Sequence, residues 1–343
     1  MGGLAKNTGK TTTIKKLISE LQERKTPFLL TGIGYDGEAY DLITGLPKPR
    51  YLLEKGALLL TSVNPQGQER KKLSIIQELG LKNSLGKVVL AEVKERDHFL
   101  LAGPNRGPDL EKALESISLG NNVLTLVDGA INRLVPLSIS SSLILALGAS
   151  YSTNLDYLSK TAASLYHLFS LREGGKGAKS ECPDCPPIIS LTDQEGEKEI
   201  PYTSLFASNV LKRIKAEARG RIKELRVPGI MSSSIFEEVK GIMEEDGRIW
   251  FKNPFVLLAT NSAIYWKESF CKNRIKVSFF QCPRLVAFTV NPFYPFYEKG
   301  RFTPRYLDAD LLRERIATSS PLLVFDVVKY PKEQITDHIL RNN

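Results

Sequence analysis

The residues with the clearest capacity for chemistry are Gly9-Lys10-Thr11, which close the run GGLAKNTGKTTT. A Walker A phosphate loop reads G-x-x-x-x-G-K-[ST] and sits between a strand and a helix. Its glycines let backbone N–H groups approach phosphate oxygens, its lysine neutralises the β- and γ-phosphates, and its hydroxyl holds Mg2+. Gly9, Lys10 and Thr11 supply that motif's end, and Thr12 and Thr13 open a helix. The dipole and unpaired N–H groups of such a helix start favour an anion at the same point. The loop deviates at its beginning: counting back from Gly9 reaches Leu4, and Gly3 sits one place early. Lys6 is an additional candidate phosphate ligand, with Asn7 and Thr8 completing the loop. The bland reading of the same residues is a threonine-rich helix cap.

Phosphoryl chemistry also needs a carboxylate at the end of a neighbouring strand to help hold Mg2+. Asp128 closes the apolar run LTLVDG, and Asp36 follows FLLTGIGYDGE with Glu38 close by. Asp-Gly is also a common turn pair, so each has an ordinary alternative. Together after a phosphate loop they read as metal ligands with Thr11, and Asp128 reads as catalytic with Lys10. Asn132 and Arg133 lie just past Asp128, and an arginine there can reach a phosphate or sit on the surface. Lys48 and Arg50 in PKPR can form a basic rim to the same cleft.

Other chemistry is weakly encoded. Cys182 and Cys185 form a Cys-x-x-Cys pair, but Cys271 and Cys282 are too widely spaced for a second zinc knuckle. The spacing therefore disfavours zinc, and no thioredoxin-like strand precedes the first pair. His98, His167 and His338 are scattered, which argues against a metal cluster or a nucleophilic triad. His167, in the apolar stretch ASLYHLFSL, reads as a packed residue. The aromatic segment TVNPFYPFYEKGRF reads either as a partner-docking surface or as a wall over the core, with internal packing preferred.

The elements that must position these residues alternate between apolar runs and amphipathic stretches, the pattern of α/β folding around a mostly parallel sheet. Strands are predicted at Phe28–Ile33, Ala57–Ser62, Val88–Val93, Phe99–Gly103, Val123–Asp128 and Leu143–Gly148. Helices are predicted at Thr11–Arg24, Asp109–Ser118 and Leu155–Leu171. The first places Ile14, Leu17, Ile18 and Leu21 on one face at helical spacing. Gly, Pro, Ser and charge dominate from Arg172 to Pro187, the best linker candidate. Beyond it, helices are predicted at Thr203–Arg219, Ser234–Glu244 and Tyr306–Ala317. Strands are predicted at Leu225–Met231, Pro254–Ala259, Ile275–Gln281, Leu285–Val290 and Leu322–Val328.

The expected fold is a P-loop NTPase-like α/β domain, a mostly parallel sheet with helices on both faces, over 1–171. A linker carrying CPDC (172–200) and a second α/β domain (201–343) follow. A phosphate loop should rise from a strand in the sheet centre. Only Met1 and Gly2 precede Gly3, too few to encode that strand. The reading frame is therefore expected to continue upstream into an apolar run of about five to six residues, the usual strand length.

Composition sets outer bounds. With 42% hydrophobic and 25% charged residues the chain is of ordinary globular make-up. No apolar run approaches the roughly 20 residues of a bilayer span, so no membrane role is expected. Four cysteines do not make a disulfide framework, and a reducing cytoplasm is the simplest home. The net charge of +9 raises nucleic acid as a partner. Lys and Arg are nevertheless spread along the chain without a recognised module, so a solvated basic surface is preferred.

Several segments together resemble one family: GLAKNTGKTTT, GYDGEAYDLITGLPKP, VDGAINR, LGAS, TVNPFYP and a late FDVV. They look like the P-loop-bearing small subunit (KamB-like) of the reactivase for adenosylcobalamin-dependent lysine 5,6-aminomutase. The resemblance implies a MutS-like ATPase as larger partner subunit and nucleotide-driven exchange of damaged cobalamin from the inactivated mutase. The Cys-x-x-Cys stretch departs from the family. The expected ligands are ATP or GTP with Mg2+. Two other readings remain open at the sequence level: a kinase or transferase acting on a small metabolite, and a scaffold that keeps nucleotide without hydrolysing it.

Overall fold

The computed structural model describes residues 1–33, 50–64, 68–120, 122–129, 140–171, 188–207, 209–298, 300–330 and 335–342. In chain order it begins β1 (Gly2–Gly3), α1 (Lys10–Glu23), β2 (Phe28–Gly32), β3 (Tyr51–Leu53) and β4 (Leu58–Val63). Next come α2 (Gln68–Lys71), the hairpin of β5 (Leu73–Asn83) and β6 (Gly86–Val93), β7 (Asp97–Phe99) and α3 (Gly107–Glu115). Then follow β8 (Leu124–Asp128), β9 (Ser142–Gly148), α4 (Leu155–Ser170), β10 (Ile189–Asp193) and β11 (Gly196–Ile200). The chain continues with α5 (Val210–Glu217), β12 (Ile222–Val227), α6 (Ser233–Lys240), β13 (Met243–Phe251) and α7 (Phe255–Leu258). After these lie α8 (Ala263–Asn273), β14 (Lys276–Phe279), β15 (Arg284–Asn291), β16 (Phe293–Glu298) and β17 (Arg301–Tyr306). It closes with α9 (Ala309–Ala317), β18 (Leu323–Phe325) and α10 (Ile335–Asn342).

Two compact units result. One joins Met1–Leu158 to Val286–Asn343, and the other is Ser159–Leu285. The C-terminal stretch, expected with the second domain, thus packs with the N-terminal one, because β15 and β18 extend the sheet containing β1 and β9. Part of the expected linker, 188–200, forms the antiparallel pair β10–β11.

In the first unit, one sheet runs β1-β9-β15-β18 and another β5-β6-β4-β2-β8. The pairs β1–β9, β15–β18, β2–β4 and β2–β8 are parallel. The edge is antiparallel, because β6 pairs antiparallel with both β4 and β5. The architecture is therefore mixed α/β with several sheets, one of them parallel. Met1 links the two ladders: its nitrogen donates to Val127 O at 3.0 Å, and Gly129 N donates to Met1 O at 3.1 Å. The strand that sequence could not supply before the loop is present as a two-residue stub between β8 and β9.

α1 covers this junction with one apolar face. Ile14, Ile18 and Leu21 pack with Phe28, Leu30 and Leu53, and Leu17 packs with Ile144, Val286 and Phe325. On the other side of β2, Leu29 packs with Leu60, Leu110 and Val127.

In the second unit the order is β11-β10-β12-β13-β14, with β12, β13 and β14 parallel. Pro254–Ala259, expected as a strand, is a helical turn. Asn253 Oδ1 accepts from Phe255 N at 3.1 Å, and the Pro254 carbonyl accepts from Leu257 and Leu258, which starts helical bonding at once. The helix expected over Thr203–Arg219 begins only at Val210, after Asn209 in the left-handed region at φ 68°.

The aromatic segment is the hairpin β16–β17, and its side chains are not a wall over the core. Tyr297, Phe302 and Tyr306 are 63%, 53% and 67% exposed. They pair across the hairpin, Phe293 with Tyr306 and Tyr297 with Phe302, and Arg305 stacks on Phe296. An isolated two-stranded ribbon has no core beneath it, so its aromatics satisfy one another.

Asp193 ties the β10–β11 turn to the end of α5. Its inaccessible carboxylate accepts from Arg219 N at 2.7 Å, Glu195 N at 2.8 Å and Lys198 Nζ at 3.1 Å. These bonds, the one from Arg219 first, hold its carboxyl down at about 2. A lowered folded value means stability present above the unfolded value of about 4 and lost as pH falls toward the folded one. Asp193→Asn is expected to be less stable than wild type at neutral pH and to lose less on acidification from about pH 4 to pH 2. Urea midpoints across that window measure it, and parallel profiles would contradict the assignment.

Candidate phosphate-binding site

The site grows from the local conformation of residues 3–13. Gly9 adopts φ 93° and ψ 7°, and Asn7 has φ 62°, so the loop turns through the left-handed region twice. Gly9 caps α1 without a side-chain hydrogen bond, and the first turn carries no acidic residue. The bond from Thr13 N to Gly9 O, at 3.0 Å, is the first that the helix closes. The N–H groups before it have no intrahelical partner and point out of the helix start.

The misplaced first glycine has a structural reason. A Cβ on Gly3 would stand 2.7 Å from Thr8 Oγ1, which itself donates to Ala5 O at 3.0 Å. Glycine is needed where the loop folds back on the strand, and that point is Gly3. Leu4, at the motif's nominal position, continues the ladder by donating to Ala146 O.

β15 holds the other side of the loop. Asn291 Nδ2 donates to Asn7 O at 2.7 Å, while Asn291 Oδ1 accepts from Phe293 N at 3.2 Å. The Asn291 carbonyl accepts from Ala149 N at 2.9 Å, so one residue joins the phosphate loop to the ends of β9 and β15. Thr13 Oγ1 donates to Thr289 Oγ1 at 3.0 Å from the first turn of α1.

Asp128 faces the loop from the end of β8, in register with Gly32 at the end of β2. Its Oδ1 lies 3.0 Å from Lys10 Nζ, an ion pair whose side chains are 17% and 24% exposed. Oδ1 is buried, with the Lys10 ammonium as its charge partner. Oδ2 accepts from the Tyr51 hydroxyl at 2.7 Å. Tyr51 is 2% exposed. Burial first, and then the charge of Asp128 beside it, push its hydroxyl well above the ordinary value and keep it a neutral donor.

The structure thus brings Gly3, Thr8, Gly9, Lys10, Thr11 and Asp128 together around one helix start. Lys6, Asn7 and Thr12 lie on the exposed side of the loop. Asp36, Glu38, Lys48, Asn132, Arg133, Cys182 and Cys185 lie outside the described residues. Arg50 is exposed immediately before β3. His98 is exposed on β7, and His167 is half-buried, its pKa lowered first by burial and then by Lys267. His338 Nε2 lies 2.8 Å from Val286 O. Cys271 is exposed and Cys282 half-buried.

Two participants escaped sequence reading. Tyr51 carries no motif; its only signal is a tyrosine opening an apolar run just after PKPR. Asn291 sits inside TVNPFYP, where the surrounding aromatics draw the eye away from it.

Among the described residues, no group of three or more His, Cys, Asp or Glu gathers to hold a metal. Thr11 and Asp128 nevertheless fit Mg2+, which is commonly held by one or two protein oxygens together with substrate phosphates and waters. Asp128 Oδ1, paired with Lys10 at 3.0 Å, would take that role when Lys10 engages another anion.

No protein-family model, curated protein or solved structure matches this chain. No described helix is long and apolar enough to cross a membrane.

Asn291→Ala is expected to cost about 1 kcal/mol, the net worth of one hydrogen bond. It should also speed amide exchange in the loop and the first turn of α1, as read by hydrogen–deuterium exchange. Unchanged exchange at those amides would show that Asn291 does not hold the loop.

Proposed function

We propose that this chain binds a nucleoside triphosphate, ATP or GTP, with Mg2+ through the loop from Gly3 to Thr12. The observation that carries the reading is the Lys10–Asp128 pair at an open helix start, beside the carboxyl ends of parallel strands. Ligands of open α/β sheets favour that edge, at the point where chain connections diverge to either side. Here the chain leaves β1 through α1 toward β2 on one side, while β9 lies on the other.

The residues account for the chemistry in a definite order. The N–H groups of α1 and the loop receive phosphate oxygens, aided by the helix dipole. Lys10, already in place, exchanges the Asp128 carboxylate for phosphate oxygen. Asp128 is thereby released to hold Mg2+ with Thr11. When bound, the ion neutralises charge across the β- and γ-phosphates.

The family resemblance extends the proposal. In that reading the chain is the small subunit of a reactivase for an adenosylcobalamin-dependent aminomutase, works with a MutS-like larger subunit, and uses nucleotide to drive cofactor exchange. Such a task needs a conformational switch more than bond chemistry on the cofactor.

Calorimetric titration of the chain with Mg-ATP and Mg-GTP tests the site. Lys10→Ala removes a charge-assisted contact of about 1.5–3 kcal/mol, so affinity should fall roughly 10- to 100-fold. Equal binding by wild type and Lys10→Ala would defeat the assignment.

A further inference from the structure

We propose that Tyr51 is a positioning residue for the metal: its phenol fixes the plane of the Asp128 carboxylate that would face the ion. This inference rests on the phosphate-loop reading above and concerns how that site acquires its metal dependence.

The hydrogen-bond geometry carries the argument. A phenol has one proton to give. Tyr51 gives it to Asp128 Oδ2 at 2.7 Å. Oδ1 stands 3.0 Å from Lys10 Nζ, and it is the oxygen that would turn to an ion or its water once Lys10 engages phosphate. Without the phenol, Asp128 loses the bond that fixes its carboxylate plane. Groups of this kind orient metal ligands from behind and typically contribute 10- to 100-fold in metal affinity.

Placement makes Tyr51 suited to the role. It opens β3, which pairs with β7 through Tyr51↔Phe99, and its ring lies in the core cluster with Ile14, Ile18 and Phe28. The hydroxyl is therefore held on a packed ring and not on a flexible stem. Phenylalanine keeps the ring and removes only the oxygen, which separates orientation from packing.

The experiment measures nucleotide affinity of the full chain by calorimetry, with Mg2+ and with EDTA, for wild type and Tyr51→Phe. Electron paramagnetic resonance of Mn2+ in the presence of nucleotide gives a direct metal readout. Wild type should bind nucleotide more tightly with the metal. In Tyr51→Phe that enhancement and the Mn2+ affinity should fall about tenfold, with metal-free affinity unchanged. A cycle with Asp128→Ala should be non-additive, the double variant losing no more than Asp128→Ala alone. The proposal is overturned by an undiminished enhancement, by additive losses, or by a parallel fall of both affinities with altered near-ultraviolet circular dichroism. Absence of nucleotide binding in wild type would instead overturn the phosphate-loop reading, and this inference with it.

Discussion

A carboxylate with little water around it must be paired, and the Asp128 carboxylate at the end of β8 meets that demand from two directions. Lys10 supplies the opposite charge from the first residue of α1, and Tyr51 supplies a hydrogen bond from β3. The pairing couples three elements far apart in the chain. A change in what Lys10 contacts is therefore a change in what Asp128 must find.

Around that pair the backbone is held by close approach. Gly3 admits Thr8, Gly9 accepts a left-handed conformation beside Asn291, and Gly148 lies against the Asn291 carbonyl. Met1 bonds to the end of β8 while the adjoining Gly2 and Gly3 pair with β9, so Asp128 and the loop emerge near each other. The exposed β16–β17 ribbon begins two residues beyond Asn291, the residue that bonds to Asn7 of the loop.

Legibility in the sequence followed periodicity. α1 was readable because Ile14, Leu17, Ile18 and Leu21 recur at helical spacing, and β2, β8 and β9 because short apolar runs end at Gly or Asp. Pro254–Ala259 was misread because five apolar residues fit a strand and a helical turn equally, and the Asn253 side chain decided between them. The aromatic ribbon was misread because hydrophobicity alone does not tell a core from an exposed face. Position 291 was missed for a different cause: an asparagine's partner across 284 residues leaves no local trace.

The sequence by itself determined the loop–helix unit, since Gly9, Lys10 and Thr11 act through local backbone geometry and a helix start that neighbouring residues dictate. It also determined Asp128 as a strand-end acid. Only the tertiary structure decided that Asp128 faces Lys10, that Tyr51 bonds to Asp128, and that the C-terminal strands belong to the first unit. Those relations are set by which strands pair and which faces are buried together, contacts between residues separated by tens to hundreds of positions, for which spacing along the chain carries no signal.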